Sequence, residues 1–209
     1  MSTKPEVTKA EVHTLFPEVL CRAHLKLDNK SLLKAIKEIT FIRDDIQPKN
    51  TGTSPSRYLF QQPVFHELRK KALEQFGKFN REILQYTHDY AVTTSWATET
   101  KPGEQSSLHT HINCQYSGAY YVSVPQGSNT VSFVQREKGG FMTIPYRYNS
   151  LNSRRAIYTL KEGDLIFFPS YMWHQIDLNK SKKTRYSIAL NLIPTGVIGE
   201  GDSQLILNV

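Results

Sequence analysis

The sequence has few of the features that mark disulfide-rich, membrane-spanning or exported proteins. Its two cysteines, Cys21 and Cys114, lie far apart without metal-ligand spacing, so we interpret both as reduced thiols. No apolar run approaches the roughly 20 residues that cross a bilayer. The first residues mix charged and small polar side chains and lack the apolar core of a signal peptide. These absences together predict a cytoplasmic protein.

The chain also lacks internal repeats, low-complexity tracts and an obvious interdomain linker. Its 209 residues therefore suit a single domain spanning residues 1–209. The net charge of +7, from 26 Lys+Arg against 19 Asp+Glu, favours an anionic partner such as an acidic protein, a nucleic acid or a small polycarboxylate. No recognised nucleic-acid reader motif is present, so nucleic acid is not the favoured partner.

Helical signals dominate the first part of the chain, residues 1–89, which we expect to form a helical support region. Asp28 or Asn29 could cap a first helix, in which apolar residues recur at three- and four-residue steps: Leu32, Leu33, Ile36 and Ile39. A second helix is expected from about residue 63 to residue 86. Its predicted core positions are Leu68, Ala72, Phe76, Phe79, Ile83 and Leu84.

From Tyr90 onward the pattern changes to the period of two that is typical of strands. We expect strands over residues 91–96, 117–124, 130–135, 142–148, 156–160, 164–168, 174–178 and 185–193. Helices followed by many short strands argue against a parallel α/β sheet. They predict a mainly β fold with N-terminal helices, whose residues 90–209 form a double-stranded β-helix (jelly-roll) core.

Three of the seven histidines fall in this β region and form a candidate metal site. His109 and His111 are separated by one residue, which places both side chains on the same face of a strand. His174 follows 63 residues later, at the end of an apolar run. Two neighbouring ligands and one distant ligand make a three-point facial set that leaves coordination positions open.

A candidate anion site follows soon after His174. Arg185 and Ser187 share one face of the strand predicted over residues 185–193, and a planar guanidinium beside a hydroxyl suits a carboxylate. A surface ion pair is the alternative interpretation of Arg185. It is weakened because Arg185 opens the apolar stretch Ile188-Ala189-Leu190-Asn191-Leu192-Ile193.

Several motifs in order resemble the 2-oxoglutarate–Fe(II) oxygenase family found in bacteria and their viruses. They are the H-x-H pair, Ser117-Gly-Ala-Tyr-Tyr-Val122, Phe167-Phe-Pro-Ser-Tyr-Met-Trp-His174 and Arg185-Tyr-Ser-Ile-Ala-Leu-Asn191. The resemblance covers roughly residues 95–207 and extends more distantly to the prolyl hydroxylases. If the gene belongs to a phage, the protein would act in the host cytoplasm.

This resemblance implies Fe(II) and 2-oxoglutarate as cofactor and co-substrate, with His109 and His174 as iron ligands. His111 stands where most of the superfamily has a carboxylate. His111 is the third iron ligand, or it lies outside the coordination shell and contacts a ligand, or a water molecule binds the iron in its place. Arg185 and Ser187 match the residues that bind the distal carboxylate of 2-oxoglutarate, and Tyr121 resembles a tyrosine that donates to it. Tyr120 faces the opposite side, so only one of the two tyrosines can serve, and we choose Tyr121.

The resemblance therefore implies a dioxygenase that uses O₂ to hydroxylate a C–H bond of an unknown substrate while 2-oxoglutarate becomes succinate. The prolyl hydroxylases favour a peptidyl residue, in a protein or peptide, over a small metabolite. Two other interpretations stay open: a cupin-like metal enzyme that does not use 2-oxoglutarate, and a non-catalytic jelly-roll binding module. Of the three interpretations, only the 2-oxoglutarate-dependent dioxygenase would require Arg185 and Ser187 at their positions.

Overall fold

The structure is a computed structural model that describes residues 10–43, 46–47, 49–135 and 144–208. These residues contain eleven strands, most of them in the second half of the chain. They are β1 (Cys21–His24), β2 (Gly52–Thr53), β3 (Tyr90–Thr100), β4 (Tyr116–Ser123), β5 (Thr130–Val134), β6 (Arg155–Thr159), β7 (Asp164–Pro169), β8 (Trp173–Ile176), β9 (Arg185–Pro194), β10 (Gly196–Ile198) and β11 (Leu205–Leu207).

The strands form two facing sheets and a small hairpin. The main sheet has the order β1-β7-β4-β9-β3-β2, the minor sheet has the order β6-β5-β8, and β10 pairs with β11. From β3 to β9 the chain passes from the main sheet to the minor sheet and back, and all strand pairs are antiparallel. This alternation is the double-stranded β-helix that the sequence predicts.

Two helices cover the outer face of the main sheet. Helix α1 (Asn29–Lys37) begins after Asp28, whose side chain accepts from the backbone N–H groups of Lys30 and Ser31. This confirms the predicted cap. Helix α2 (His66–Phe79) follows two 3₁₀ turns, Leu59–Gln61 and Pro63–Phe65, and continues as a π-helical turn, Asn80–Leu84.

The side chains of these helices meet the sheet in one aromatic and aliphatic core. Phe76 lies 4.7–5.1 Å, between ring centroids, from Tyr90, Tyr116 and Phe167. The predicted core position Ile83 is wrong, because the π turn leaves this side chain 62% exposed.

Strand β9 separates this core from the interior of the barrel. Ile188, Leu190 and Leu192 point towards the helices and are fully buried in the outer core. The residues between them point the other way, because side chains alternate along a strand. Arg185 and Ser187 therefore face the space between the two sheets.

The predicted strands correspond to β3 through β9, with one exception. A strand was expected over residues 142–148, of which 142 and 143 lie outside the described residues. The described remainder is not a strand, and Ile144 and Tyr146 are 89% and 107% exposed. Strands β1, β2, β10 and β11 were missed, since two to four residues are too few to display a period. Through β1 and β2 the N-terminal region contributes both edges of the main sheet.

Gly118 on β4 leaves no space for a side chain next to β7, and this provides a test of the packing. A Cβ added there would lie 2.8 Å from the Phe167 ring and 3.0 Å from the Ile166 carbonyl oxygen. We expect Gly118→Ala to lower the free energy of unfolding, measured in urea, by about 1–3 kcal/mol.

The matched control is Gly77→Ala in α2. Here the new Cβ meets only the flexible Arg81 side chain, at 3.1 Å. Alanine favours a helix interior by about 0.5–1 kcal/mol over glycine, so this variant should be as stable as the wild type or more stable. Equal stabilities for Gly118→Ala and the wild type would contradict the described β4–β7 packing.

Candidate functional site

His109, His111 and His174 converge at one end of the space between the sheets. One ring nitrogen from each lies within 4.8 Å of the other two. Among residues 10–208, outside the three gaps in the description, this is the single group of three or more His, Cys, Asp or Glu side chains close enough to hold an ion. The structure thus brings together the three histidines that the sequence singled out.

The H-x-H segment reaches this position by a route that differs from the prediction. It does not lie on a regular strand: His109 forms an isolated antiparallel bridge with His174. Their backbones exchange two hydrogen bonds of 3.0 and 2.9 Å, and the His111 N–H donates to the Ser170 carbonyl oxygen. The segment therefore extends the minor sheet beside β8 without becoming a full strand.

Backbone carbonyl groups fix the orientation of two of the imidazole rings. Nδ1 of His109 lies 2.8 Å from the Ser107 oxygen, and Nδ1 of His174 lies 2.8 Å from the Met172 oxygen. A carbonyl oxygen only accepts, so each Nδ1 must carry the hydrogen. Both Nε2 atoms are thereby left with a free lone pair, as a metal ligand requires.

Aromatic rings pack against two of the three histidines. The His111 ring meets Trp96 edge to face at 5.5 Å, and the His174 ring lies 4.6 Å from Phe168. Burial, assisted by repulsion from His109, lowers the pKa of His111 to about 4 and that of His174 to about 3. Both imidazoles are neutral at pH 7 and can bind a cation without first losing a proton.

A cavity of about 350 Å³ leads from the histidines into the barrel. Its walls are largely apolar and include Val131 and Ile176 from the minor sheet and Ile166 and Phe168 from the main sheet. At its inner end lies Arg185, of which only 1% is exposed. The cavity thus connects a candidate cation site with a buried cation.

Arg185 is buried without an acidic partner. Its Nη1 donates to the carbonyl oxygens of Ser128 and Thr130 over long distances of 3.3 Å, and its Nε is buried without any hydrogen-bond partner. None of the ion pairs in the described part of the chain includes it. Burial lowers the pKa of this guanidinium, while Tyr121 opposes that shift. An unpaired charge in such a place is costly unless a ligand completes it.

The two other predicted co-substrate residues, Tyr121 and Ser187, line the same cavity as this guanidinium. The guanidinium carbon of Arg185 lies 4.8 Å from the Tyr121 ring centroid. The Ser187 hydroxyl lies 2.6 Å from the Thr98 hydroxyl. Tyr120 points into the outer core, where its hydroxyl donates to Asn29 at 2.6 Å. Of the two tyrosines, Tyr121 is the one that lines the cavity.

Sequence reasoning missed two features of the cavity wall. Thr98 faces Ser187 from β3, and no motif marks it. Asn50 pairs with Ser107 through two hydrogen bonds of 3.3 and 3.2 Å, and this pair closes the gap between β2 and the H-x-H segment. Asn50 lies in a polar stretch that reads as a simple loop, so the sequence carries no signal for this contact.

Comparison with known proteins agrees with the geometry. Residues 94–191, a little under half of the chain, match the model of the family described as "Putative 2OG-Fe(II) oxygenase". The matched segment contains all six predicted site residues: His109, His111, Tyr121, His174, Arg185 and Ser187. No curated protein matches the chain by sequence.

Solved structures of 2-oxoglutarate oxygenases share the fold at low sequence identity. HygX from Streptomyces hygroscopicus, with nickel, 2-oxoglutarate and hygromycin B bound, is 14% identical, with a TM-score of 0.61 over 85% of this chain and 84% of that one. A prolyl hydroxylase from Trichoplax adhaerens, in complex with a hypoxia inducible factor peptide fragment, is 10% identical, with a TM-score of 0.57 and 83% coverage of both chains.

A viral example is similar to the same extent. The collagen prolyl hydroxylase of Paramecium Bursaria Chlorella virus-1, in its 2-oxoglutarate complex, is 14% identical, with a TM-score of 0.54 over 83% of this chain and 94% of that one. At these identities the likeness establishes the fold alone. Within the double-stranded β-helix core, residues 94–191 match the family of 2-oxoglutarate–Fe(II) oxygenases.

Proposed function

We propose that the protein is a dioxygenase that hydroxylates a C–H bond of a peptidyl substrate, with His109, His111 and His174 holding Fe(II). Arg185, Ser187 and Tyr121 would bind the distal carboxylate of 2-oxoglutarate. Substrate, O₂ and 2-oxoglutarate give hydroxylated substrate, succinate and CO₂. One oxygen atom enters succinate and the other becomes the new hydroxyl group.

The observation that carries this proposal is the buried, unpaired guanidinium in the same cavity as the three histidines. A guanidinium with a free Nε requires an anion. A neighbouring hydroxyl, on Ser187, and the Tyr121 ring leave room for a compact carboxylate. A ligand with a carboxylate at one end and metal-binding oxygen atoms at the other completes both ends of the cavity.

The residues also fit the proposed metal. Three neutral imidazole nitrogens suit Fe(II) among other first-row ions, and three ligands leave positions open for a bidentate ligand and O₂. Bound iron would supply the site at which O₂ reacts while 2-oxoglutarate loses CO₂. Without a protein carboxylate, the metal keeps its full double charge, and the dianionic co-substrate would neutralise it.

The peptidyl part of the proposal is supported by two solved relatives that are named as prolyl hydroxylases, one of them bound to a peptide fragment. HygX, bound to hygromycin B, shows that the same fold accepts a small molecule, so the fold does not select between the two. We retain the cytoplasm as the proposed location, in keeping with two free cysteines. Across the residues described, no helix is long and apolar enough to span a bilayer.

Metal binding tests the histidine assignment directly. We expect the purified protein to bind Fe(II) at one site under anaerobic conditions, as measured by calorimetry. His109→Ala, His111→Ala and His174→Ala should each weaken binding by at least about 100-fold, since second-shell changes alone cost about 10- to 100-fold. Because the pKa values of His111 and His174 lie at about 4 and 3, these two should not make the affinity decline between pH 7.5 and pH 6.

The matched control is His13→Ala, which removes an exposed histidine far along the chain from the site and should bind Fe(II) as the wild type does. Wild-type affinity in His111→Ala would remove His111 from the ligand set and leave the other two assignments intact. A wild-type protein that binds no metal would contradict the enzyme proposal and support a non-catalytic module.

Co-substrate binding separates the proposal from a cupin-like enzyme. Anaerobic addition of 2-oxoglutarate to the Fe(II) protein should produce a weak metal-to-ligand charge-transfer band in the visible spectrum. Arg185→Met keeps the length of the side chain but removes its charge and donors. It should raise the 2-oxoglutarate concentration for half-maximal absorbance by about 100-fold, the size of a lost charge-assisted contact.

Arg69→Met, on the exposed surface of α2, is the control and should titrate like the wild type. If iron binds and no band appears, the cupin-like alternative is favoured. If Arg185→Met and the wild type need the same concentration, the carboxylate is bound elsewhere.

A further inference from the structure

The inner face of the main sheet carries its side chains in four cross-strand rows. The strand register pairs Thr100 with Arg185, Thr98 with Ser187 and Tyr121, and Trp96 with Ala189 and Ala119. Thr94, Asn191 and Ser117 form the next row, which we call the fourth row. Successive rows are about 7 Å apart, the length of two strand residues.

The histidines lie beside the third and fourth rows. His111 contacts Trp96 of the third row, and His174 contacts Phe168, which pairs with Ser117 of the fourth row. The first two rows contain the proposed co-substrate residues. The fourth row therefore flanks the metal site on the side away from Arg185, where the proposed reaction needs its prime substrate.

Solvent exposure of the side chains is greater in the fourth row than in the first two rows, as expected if the barrel opens to solvent near the fourth row. Arg185 and Ser187 in the first two rows are 1% and 3% exposed. In the fourth row, Asn191, which lies on the same strand, and Thr94 on β3 are partly exposed, whereas Ser117 on β4 is buried. The barrel is thus closed at the arginine end and accessible at the fourth row.

The fourth row is a hydrogen-bonded chain that ends in unused donors. The Ser117 hydroxyl donates to Asn191 Oδ1 at 2.8 Å, and Asn191 Nδ2 donates to the Thr94 hydroxyl at 3.1 Å. Asn191 has a second N–H and Thr94 has a hydroxyl hydrogen, and neither has a partner among the described residues. Two neighbouring donors without a charge suit a neutral acceptor, such as a carbonyl oxygen.

The fourth row itself carries no charged side chain, since its members are Thr94, Asn191 and Ser117. Among the described residues that line the cavity, Arg185 carries the one permanent charge. These lining residues include no carboxylate to bind an ammonium group and no second cation to bind an acid. Trp96 and Ala189 offer a flat apolar wall that suits the C–H groups flanking a planar amide.

We infer that Thr94 and Asn191 bind a backbone carbonyl oxygen of the prime substrate, which is an internal, uncharged segment of a polypeptide. This inference rests on the proposed function and deepens it. It names two specificity-determining residues and excludes free amino acids, whose charged ends find no partner at this row. Ser117 is the positioning residue that orients the Asn191 amide.

The test uses N-acetyl amino-acid N-methylamides, which carry two amide carbonyl groups and no backbone charge. Binding of the twenty compounds to the full-length protein, loaded with Zn(II) and 2-oxoglutarate, is measured by saturation-transfer difference NMR, which needs no turnover. We expect at least one compound to bind, and the corresponding free amino acid to bind at least tenfold more weakly. Thr94→Val and Asn191→Asp, which keep side-chain size but remove donors, should each raise the dissociation constant at least about tenfold.

Thr159→Val, on the exposed side of β6, is the matched control and should bind the compound like the wild type. Equal affinity of Asn191→Asp and the wild type overturns the inference. So does stronger binding of free amino acids or D-glucose, or the absence of binding by all twenty compounds.

Failure of the proposed function can be distinguished from failure of this inference. If the proposed function is wrong, the metal-loaded wild type will not bind 2-oxoglutarate. The charge-transfer titration and thermal unfolding of each variant are therefore recorded first. Only variants that melt like the wild type and bind 2-oxoglutarate enter the comparison.

Discussion

Arg185 at the closed end of the barrel imposes the constraint around which the site is arranged. A guanidinium with 1% exposure and no acidic partner in the described structure is stable only where dipoles and a ligand replace its water. Here two backbone carbonyl oxygens and the Tyr121 ring supply part of that replacement. The free Nε leaves the remainder to an anion, and so the cavity is suited to a carboxylate before any metal is considered.

Backbone hydrogen bonds orient the candidate metal ligands, whereas Arg185 and Ser187 face the same cavity because side chains alternate along β9. His109 and His174 are held by their mutual bridge and by carbonyl oxygens of residues two positions earlier in the chain. The loop before His109 is anchored by Glu104, which accepts from the Lys101 backbone at 2.7 Å and from Arg43 at 2.9 Å. This partly exposed ion pair therefore ties the loop before His109 to Arg43.

Three imidazoles in place of two and a carboxylate change the electrostatics of the site. If all three histidines hold the metal, the metal charge and the Arg185 charge would share one largely apolar cavity, and a dianion would neutralise most of both. Co-substrate binding would then be coupled to metal binding more strongly than in a site with its own carboxylate. The fourth row, by contrast, consists of the uncharged residues Thr94, Asn191 and Ser117.

The sequence alone predicted most of the fold and singled out the candidate site residues. Period-two patterning located β3 through β9, and the Asp28 cap and the apolar steps located both helices, because these signals are local. The H-x-H pair, His174 and the Arg185/Ser187 face were also visible, since a one-residue spacing and strand parity follow from backbone geometry.

Other features depended on contacts between distant segments, which no local pattern encodes. The tertiary structure decided that His109 bridges His174 outside a regular strand, and that Tyr121 rather than Tyr120 faces the cavity. It also closed the barrel through Asn50 and Ser107 and placed Thr94 beside Asn191. Parity assigns residues to faces of a strand, but only the packing of helices on one face of the sheet decides which face becomes the interior.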